Sequence, residues 1–118
     1  MLRQAVLFDV GLSDVTVLET CRWMDTLDIG KNPIPSMKQV GSYPYVRSLS
    51  LRGITMETLD GIEEFTNLQG LTLAEAEIAD LSAIAKLPKL EQVYVNETLA
   101  DEVSAVLSGT NVEIIIEN

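Results

Sequence analysis

Histidine is absent from these 118 residues, and cysteine occurs once, as Cys21. Without histidine, the usual general base for a Ser or Cys nucleophile is missing, as is the commonest metal ligand. A single cysteine excludes an internal disulfide framework. Basic residues are scarce, with 8 Lys and Arg against 18 Asp and Glu and a formal net charge of −10. Nucleic-acid phosphates call for clustered Lys and Arg, so no nucleic-acid partner is expected. No run approaches the ~18–20 apolar residues of a membrane span, so no membrane partner is expected either. No signal peptide is visible, because AVLFDV soon gives way to Gly11, Ser13 and Asp14. The chain reads as soluble, with its compartment unknown. It also lacks a Gly-rich phosphate loop, C-x-x-C, H-E-x-x-H and G-x-S-x-G. FDVG around Asp9 has no second acid or lysine beside it for phosphoryl chemistry. The expectation is a chain with no catalytic residues, no cofactor and no metal.

What the chain does have is period. In Leu68 to Leu90, LQGLTLAEAEIADLSAIAKLPKL, the first apolar residues spell L-x-x-L-x-L, a short strand with alternate residues inward. Ile78, Leu81, Ile84, Leu87 and Leu90 then recur every third residue, which suits a helical or 3₁₀ return with one buried face. Steps of 22 residues reproduce the pattern along the whole chain. One column reads Leu2, Met24, Val46, Leu68, Leu90, Val112 and the next Ala5, Leu27, Leu49, Leu71, Val93, Ile115. The third is Leu7, Ile29, Leu51, Leu73, Val95 and Glu117, where the carboxylate is a misfit. Four return columns follow, and in them only Gly109 is not apolar, in a chain that is 47% hydrophobic. Chance would fill about half of these positions. One such coil cannot bury its apolar face alone, so neighbours must stack on both sides.

The pattern resembles a leucine-rich repeat of the short type, similar to those of bacterial internalin-like proteins. The resemblance covers Leu2 to Asn118. It implies an α/β fold: a right-handed solenoid with about six short parallel strands on a concave face and short helical or 3₁₀ returns on a convex one. The reading is one domain, 1–118, with coils 2–23, 24–45, 46–67, 68–89 and 90–111 and a final strand 112–118. The turn position that is Asn in that family holds Val10, Asn32, Ile54, Ala76 and Thr98. Only Asn32 fits, so the backbone at the other turns must find other partners.

Local signals refine the coils. Ser13 is placed to cap a short helix in coil one. Pro33 and Pro35 keep coil two extended or 3₁₀. LADEVSAVLSG in coil five predicts the best α-helix, with Asp101 and Glu102 near its start and Gly109 at its C-terminal end. Cys21 falls on an inward column as a small buried hydrophobe, and Trp23 lies off the columns, against the flank. Glu75, Glu77 and Asp80 lack the spacing of a calcium loop and read as a solvated turn.

Function is sought on the surface. The residues between the inward ones give an outward strand face: Gln4, Val6, Phe8; Thr26, Asp28, Gly30; Ser48, Ser50, Arg52; Gly70, Thr72, Ala74; Gln92, Tyr94, Asn96; Ile114, Ile116, Asn118. Its middle is small and nearly uncharged, and aromatics with Arg are the usual anchors of protein contacts. The partner-binding residues expected are Phe8, Asp28, Ser50, Arg52, Thr72 and Tyr94, in a non-enzymatic protein–protein interaction module. The alternative is a small acidic inhibitor of the immunity or anti-defence type, covering a basic site on its target. Residues 55–118 carry thirteen of the acids and only Lys86 and Lys89 as bases, and such a surface steers a basic partner. Apolar residues on both faces of the terminal strands also raise self-association through those strands.

Overall fold

The alternation of apolar residues dictates where strands form, and the breaks between them dictate where strands stop. The computed structural model describes residues 3–21 and 23–117, so Leu2 and Asn118, assigned above to a core column and to the strand face, lie outside the described residues. In chain order the elements are β1 (Gln4–Val6), β2 (Thr26–Asp28), β3 (Ser48–Ser50), β4 (Thr55–Thr58), β5 (Gly70–Thr72), β6 (Glu77–Asp80), β7 (Gln92–Val95), α1 (Glu97–Val106) and β8 (Glu113–Ile116). Short 3₁₀ turns occupy Thr16–Thr20, Met37–Gln39, Ile62–Glu64 and Ser82–Lys86. The class is mixed α/β, with a six-stranded parallel sheet in the order β1-β2-β3-β5-β7-β8.

Ala5, Leu27, Leu49, Leu71 and Val93 pair in one row, each step spanning 22 residues. The last step is 21: Val93 pairs with Ile114 and Val95 with Ile116. This corrects the predicted column, in which Ile115 and Glu117 faced the core and Ile114 and Ile116 faced out. The reason is the carboxylate. A one-residue slip exchanges the two faces of a strand, and burying an unpaired Glu costs far more than burying Ile. Ile114 thus packs on the core, and Glu117 is released to the outer face. A helix advances only ~1.5 Å per residue against ~3.3 Å for a strand, so the repeat containing α1 has a different path and tolerates the deletion.

The returns also differ from expectation in the third and fourth repeats, where they begin as strands rather than helical turns. β4 and β6 form a separate two-stranded parallel sheet, Thr55 opposite Glu77 and Met56 opposite Ile78. Met56 and Ile78 are buried between exposed neighbours, and Thr and Ile suit such half-buried strands. The third-residue period begins only after them, in the 3₁₀ turns. In the second repeat Pro33 and Pro35 occupy the places corresponding to Thr55 and Glu57 and offer no N–H, so the small sheet stops there. On its other side stands α1. That helix starts at Glu97, which places Asp101 and Glu102 in its middle and not near its start. Gly109 follows it with φ +86, a left-handed conformation that glycine adopts freely.

Local polar groups fix the turns. Asp9, Lys31, Gly53 and Glu75 all have positive φ between 54 and 69 and mark the same bend after successive outer strands. Asn32 is buried; it accepts the N–H groups of Val10 and Leu12, both at 3.0 Å, and donates to the carbonyls of Leu7, Ile29 and Gly30 at 2.7, 2.9 and 3.2 Å. At the later turns the small sheet takes over: the Glu77 N–H donates to the Ile54 carbonyl at 2.9 Å. A second polar column went unread in the sequence: Asp14, Ser36, Thr58 and Asp80. Asp14 accepts from the Thr16 N–H and hydroxyl, Thr58 from the Asp60 N–H, and Asp80 from the Ser82 N–H, while Ser36 donates to Gln39. Asp14, not Ser13, therefore secures the first 3₁₀ turn. These hydrogen bonds hold the Asp14 and Asp80 carboxyls below the usual carboxylate range.

Between the sheets lies a continuous core of Leu, Ile and Val. Tyr43 and Phe65 meet in it with ring centroids 5.7 Å apart. The Tyr43 hydroxyl donates to the Val15 carbonyl at 2.5 Å, and burial pushes its pKa well up. Cys21 is only half-buried, near the surface of this core. Trp23 is 65% exposed and so is not covered by the flank.

Candidate functional site

Strand pairing turns every second residue of the six-stranded sheet outward, and the register lines these residues up across it. Asp28, Ser50, Thr72, Tyr94 and Ile115 form one row, extended at the β1 edge by Val6. Neighbouring strands are ~4.8 Å apart, so four of the six predicted partner-binding residues make a continuous line. Phe8 and Arg52 belong to the next row, where Gly30 separates them. A Cβ on Gly30 would lie 2.7 Å from the Arg52 carbonyl oxygen and 2.9 Å from the Phe8 ring. Glycine is required there by close approach, and the missing side chain lets the Phe8 ring settle on the sheet. The Lys31 ammonium stands 5.5 Å from the centre of that ring, a cation–π distance.

Several of these groups are engaged within the chain. Asp28 accepts the Gly30 N–H at 3.1 Å, and the Tyr94 hydroxyl donates to Gln92 Oε1 at 3.3 Å. The Arg52 Nη2 donates to Glu117 Oε2 at 2.6 Å, with Glu75 3.9 Å from Nη1. Glu117 stands further along the row that runs from Arg52 through Ala74 and Asn96. Ala74 faces outward in this row yet is 1% exposed, and it is not part of the core. Asn96 in turn accepts the Glu75 N–H at 2.6 Å.

Sequence reasoning put Asp28, Ser50, Thr72 and Tyr94 on one outward strand face, and the register lines them up; it left Ile115, Glu117 and Glu75 out. The signal for Glu117 was present: a carboxylate in an otherwise apolar column reports a shifted frame. Glu75, Glu77 and Asp80 diverge. Glu75 turns towards Arg52, Glu77 is exposed on β6, and Asp80 caps Ser82. Among the described residues, no three His, Cys, Asp or Glu side chains converge as a metal site would need. Both edge strands leave apolar side chains uncovered, Val6 at 59% exposure and Ile116 at 49%.

Glu113 pairs with Gln92 and faces outward on β8, at the foot of the outer sheet face, while many of the other acids lie away from that face. Glu57 is exposed on β4, Glu77 and Asp80 on β6, and Glu97, Asp101 and Glu102 on α1. Glu63 follows β4; its own N–H and that of Gly61 hold its carboxyl below the usual range. Among the described residues no helix is long and apolar enough to cross a membrane. No protein-family model matches the chain, and no curated protein matches it in sequence.

Proposed function

We propose that this chain is a leucine-rich-repeat solenoid without chemistry of its own, and that it binds a protein partner through the outer, concave face of the six-stranded sheet. The repeat period, the parallel register and the buried Leu, Ile and Val of successive repeats support the solenoid reading. The right hand follows from the crossover rule for parallel strands. The observation that carries the binding face is the row Asp28, Ser50, Thr72 and Tyr94. It is small in the middle, closed by an aromatic, and flanked by Phe8 and Arg52. A flat row of this kind accepts a helix or loop closely, and Tyr94 and Arg52 are residue types that dominate interface energies. Arg52 is ion-paired in the free chain, so a partner carboxylate would have to exchange with Glu117.

The test is affinity capture by the tagged chain with stepwise salt elution. A partner that resists salt and is lost from the Tyr94→Ala and Thr72→Arg variants supports the reading. A partner released by moderate salt, and lost only when Glu63, Glu64 and Glu77 are reversed to Lys, would overturn it. That result would favour the second reading, an acidic inhibitor of a basic target, which is supported by the excess of acids in residues 55–118 and by the exposed carboxylates of β4, β6 and α1. Pairing of copies through β1 and β8 is a separate proposal. It predicts a mass that rises with concentration in sedimentation and reverts to monomer in Ile116→Lys.

A further inference from the structure

The small sheet is interrupted where the fifth repeat turns helical, and the interruption leaves a groove. We propose that this groove receives an extended, basic segment of a partner protein, added as a third strand along β6. The inference rests on the second reading above, in which the acidic half of the chain meets a basic partner, and it names the place and the mode.

Three observations carry it. The Glu77 N–H donates to the Ile54 carbonyl of the neighbouring repeat, so Glu77 and Ala79 turn their backbone towards β4. By the alternation of a parallel ladder, the backbone groups of Ile78 and Asp80 turn the other way, towards α1. A helix bonds its own backbone and supplies no strand, so this edge is available for strand addition. The second observation is space. The groove over β4 and β6 has a volume of about 590 Å³ and is walled by Thr98 and Leu99 of α1. Ala76, Ile78 and Ala79 give it a small, apolar lining. The third is charge. Among the described residues, the charged side chains lining it are Glu57 and Glu77, both acidic, and exposed Asp80, Glu97 and Asp101 lie on the elements beside it. An extended segment places alternate side chains on one face. Lysines or arginines at every second position would meet Glu57 and Glu77, and small apolar residues would fill the lining.

The probe is a short fluorescent peptide of alternating lysine and valine, titrated with the full chain at low salt and read by anisotropy. The same peptide N-methylated at alternate residues is the control for strand pairing. The variants are Glu57→Lys with Glu77→Lys in the groove, and Asp60→Lys with Glu91→Lys outside it, which changes net charge equally. All four positions are exposed, and circular dichroism confirms that each variant is folded. The expected result is binding that weakens about tenfold with the groove pair, changes less than about twofold with the outside pair, and is lost on N-methylation. Equal weakening by both pairs, or undiminished binding of the methylated peptide, would overturn the groove while leaving a diffuse acidic attraction intact. No binding of the unmodified peptide at low salt would sink the acidic reading together with the groove.

Discussion

Replacing Asn32 by Ala tests how the first two repeats are fastened. The amide makes five hydrogen bonds, all to backbone groups. They are not equal in worth. The Gly30 carbonyl also receives the Asp9 N–H at 2.8 Å and keeps a partner, and Val10 is exposed, so water replaces the amide there. The carbonyls of buried Ile29 and half-buried Leu7, and the N–H of half-buried Leu12, lose the bond that Asn32 supplies. At about 1 kcal/mol for each such group, the loss is about 3 kcal/mol. A chain of this size has only ~6–18 kcal/mol in total. Urea unfolding followed by circular dichroism should show a midpoint lowered by about 1.5 M, for a slope near ~2 kcal/mol/M. Asn32→Asp should be at least as damaging near neutral pH, because an ionised carboxylate faces the Leu7 and Ile29 carbonyls and cannot donate. Asn96→Ala, which removes a single exposed bond to the Glu75 N–H, should cost only about 0.5 kcal/mol. An Asn32→Ala variant within about 0.5 kcal/mol of the parent, the range of an ordinary surface change, would refute the reasoning.

Further outcomes follow from the same geometry. Gly30→Ala pushes a methyl against the Arg52 carbonyl and the Phe8 ring, and should cost about 1–3 kcal/mol in the same unfolding assay. A double-mutant cycle on Arg52→Ala and Glu117→Ala should give a coupling of about 1 kcal/mol, near the top of the exposed range because both side chains are about two-thirds covered; a coupling of zero would mean that the pair does not fasten β8. Asp14 and Asp80 have lowered folded pKa values. Their contribution is therefore complete above the unfolded carboxyl value and is lost as pH falls through the folded one. The Asp14→Asn, Asp80→Asn double variant should show a shallower loss of urea midpoint on acidification than the parent, and an identical slope would count against the turn hydrogen bonds.

How much of this was legible can be judged residue by residue. The inward rows through Leu27, Leu49, Leu71 and Val93 were readable because a period-two strand set in a fixed repeat leaves only one face apolar. The predicted row of Asp28, Ser50, Thr72 and Tyr94 followed from the same parity. The frame broke at β8, where strict repetition was preferred over the chemistry of Glu117. β4 and β6 were missed because Met56 and Ile78 satisfy both a third-residue period and a strand alternation, and only the pairing of two adjacent repeats decides between them. Asn32 stood out as a residue type, but its five partners come from two repeats. The ion pair of Arg52 with Glu117 depends on small residues in between, which no local pattern encodes.

The most direct test of the central claim is site-specific photo-crosslinking in the cells that make the protein, with a photoreactive amino acid placed at Thr72 on the outer sheet face or at exposed Ala85 in the 3₁₀ turn on the opposite side. A discrete protein adduct from position 72, absent from position 85 and lost on adding Tyr94→Ala, is the predicted result. An adduct from position 85 with none from position 72 would contradict it and move the binding surface to the acidic side of the molecule.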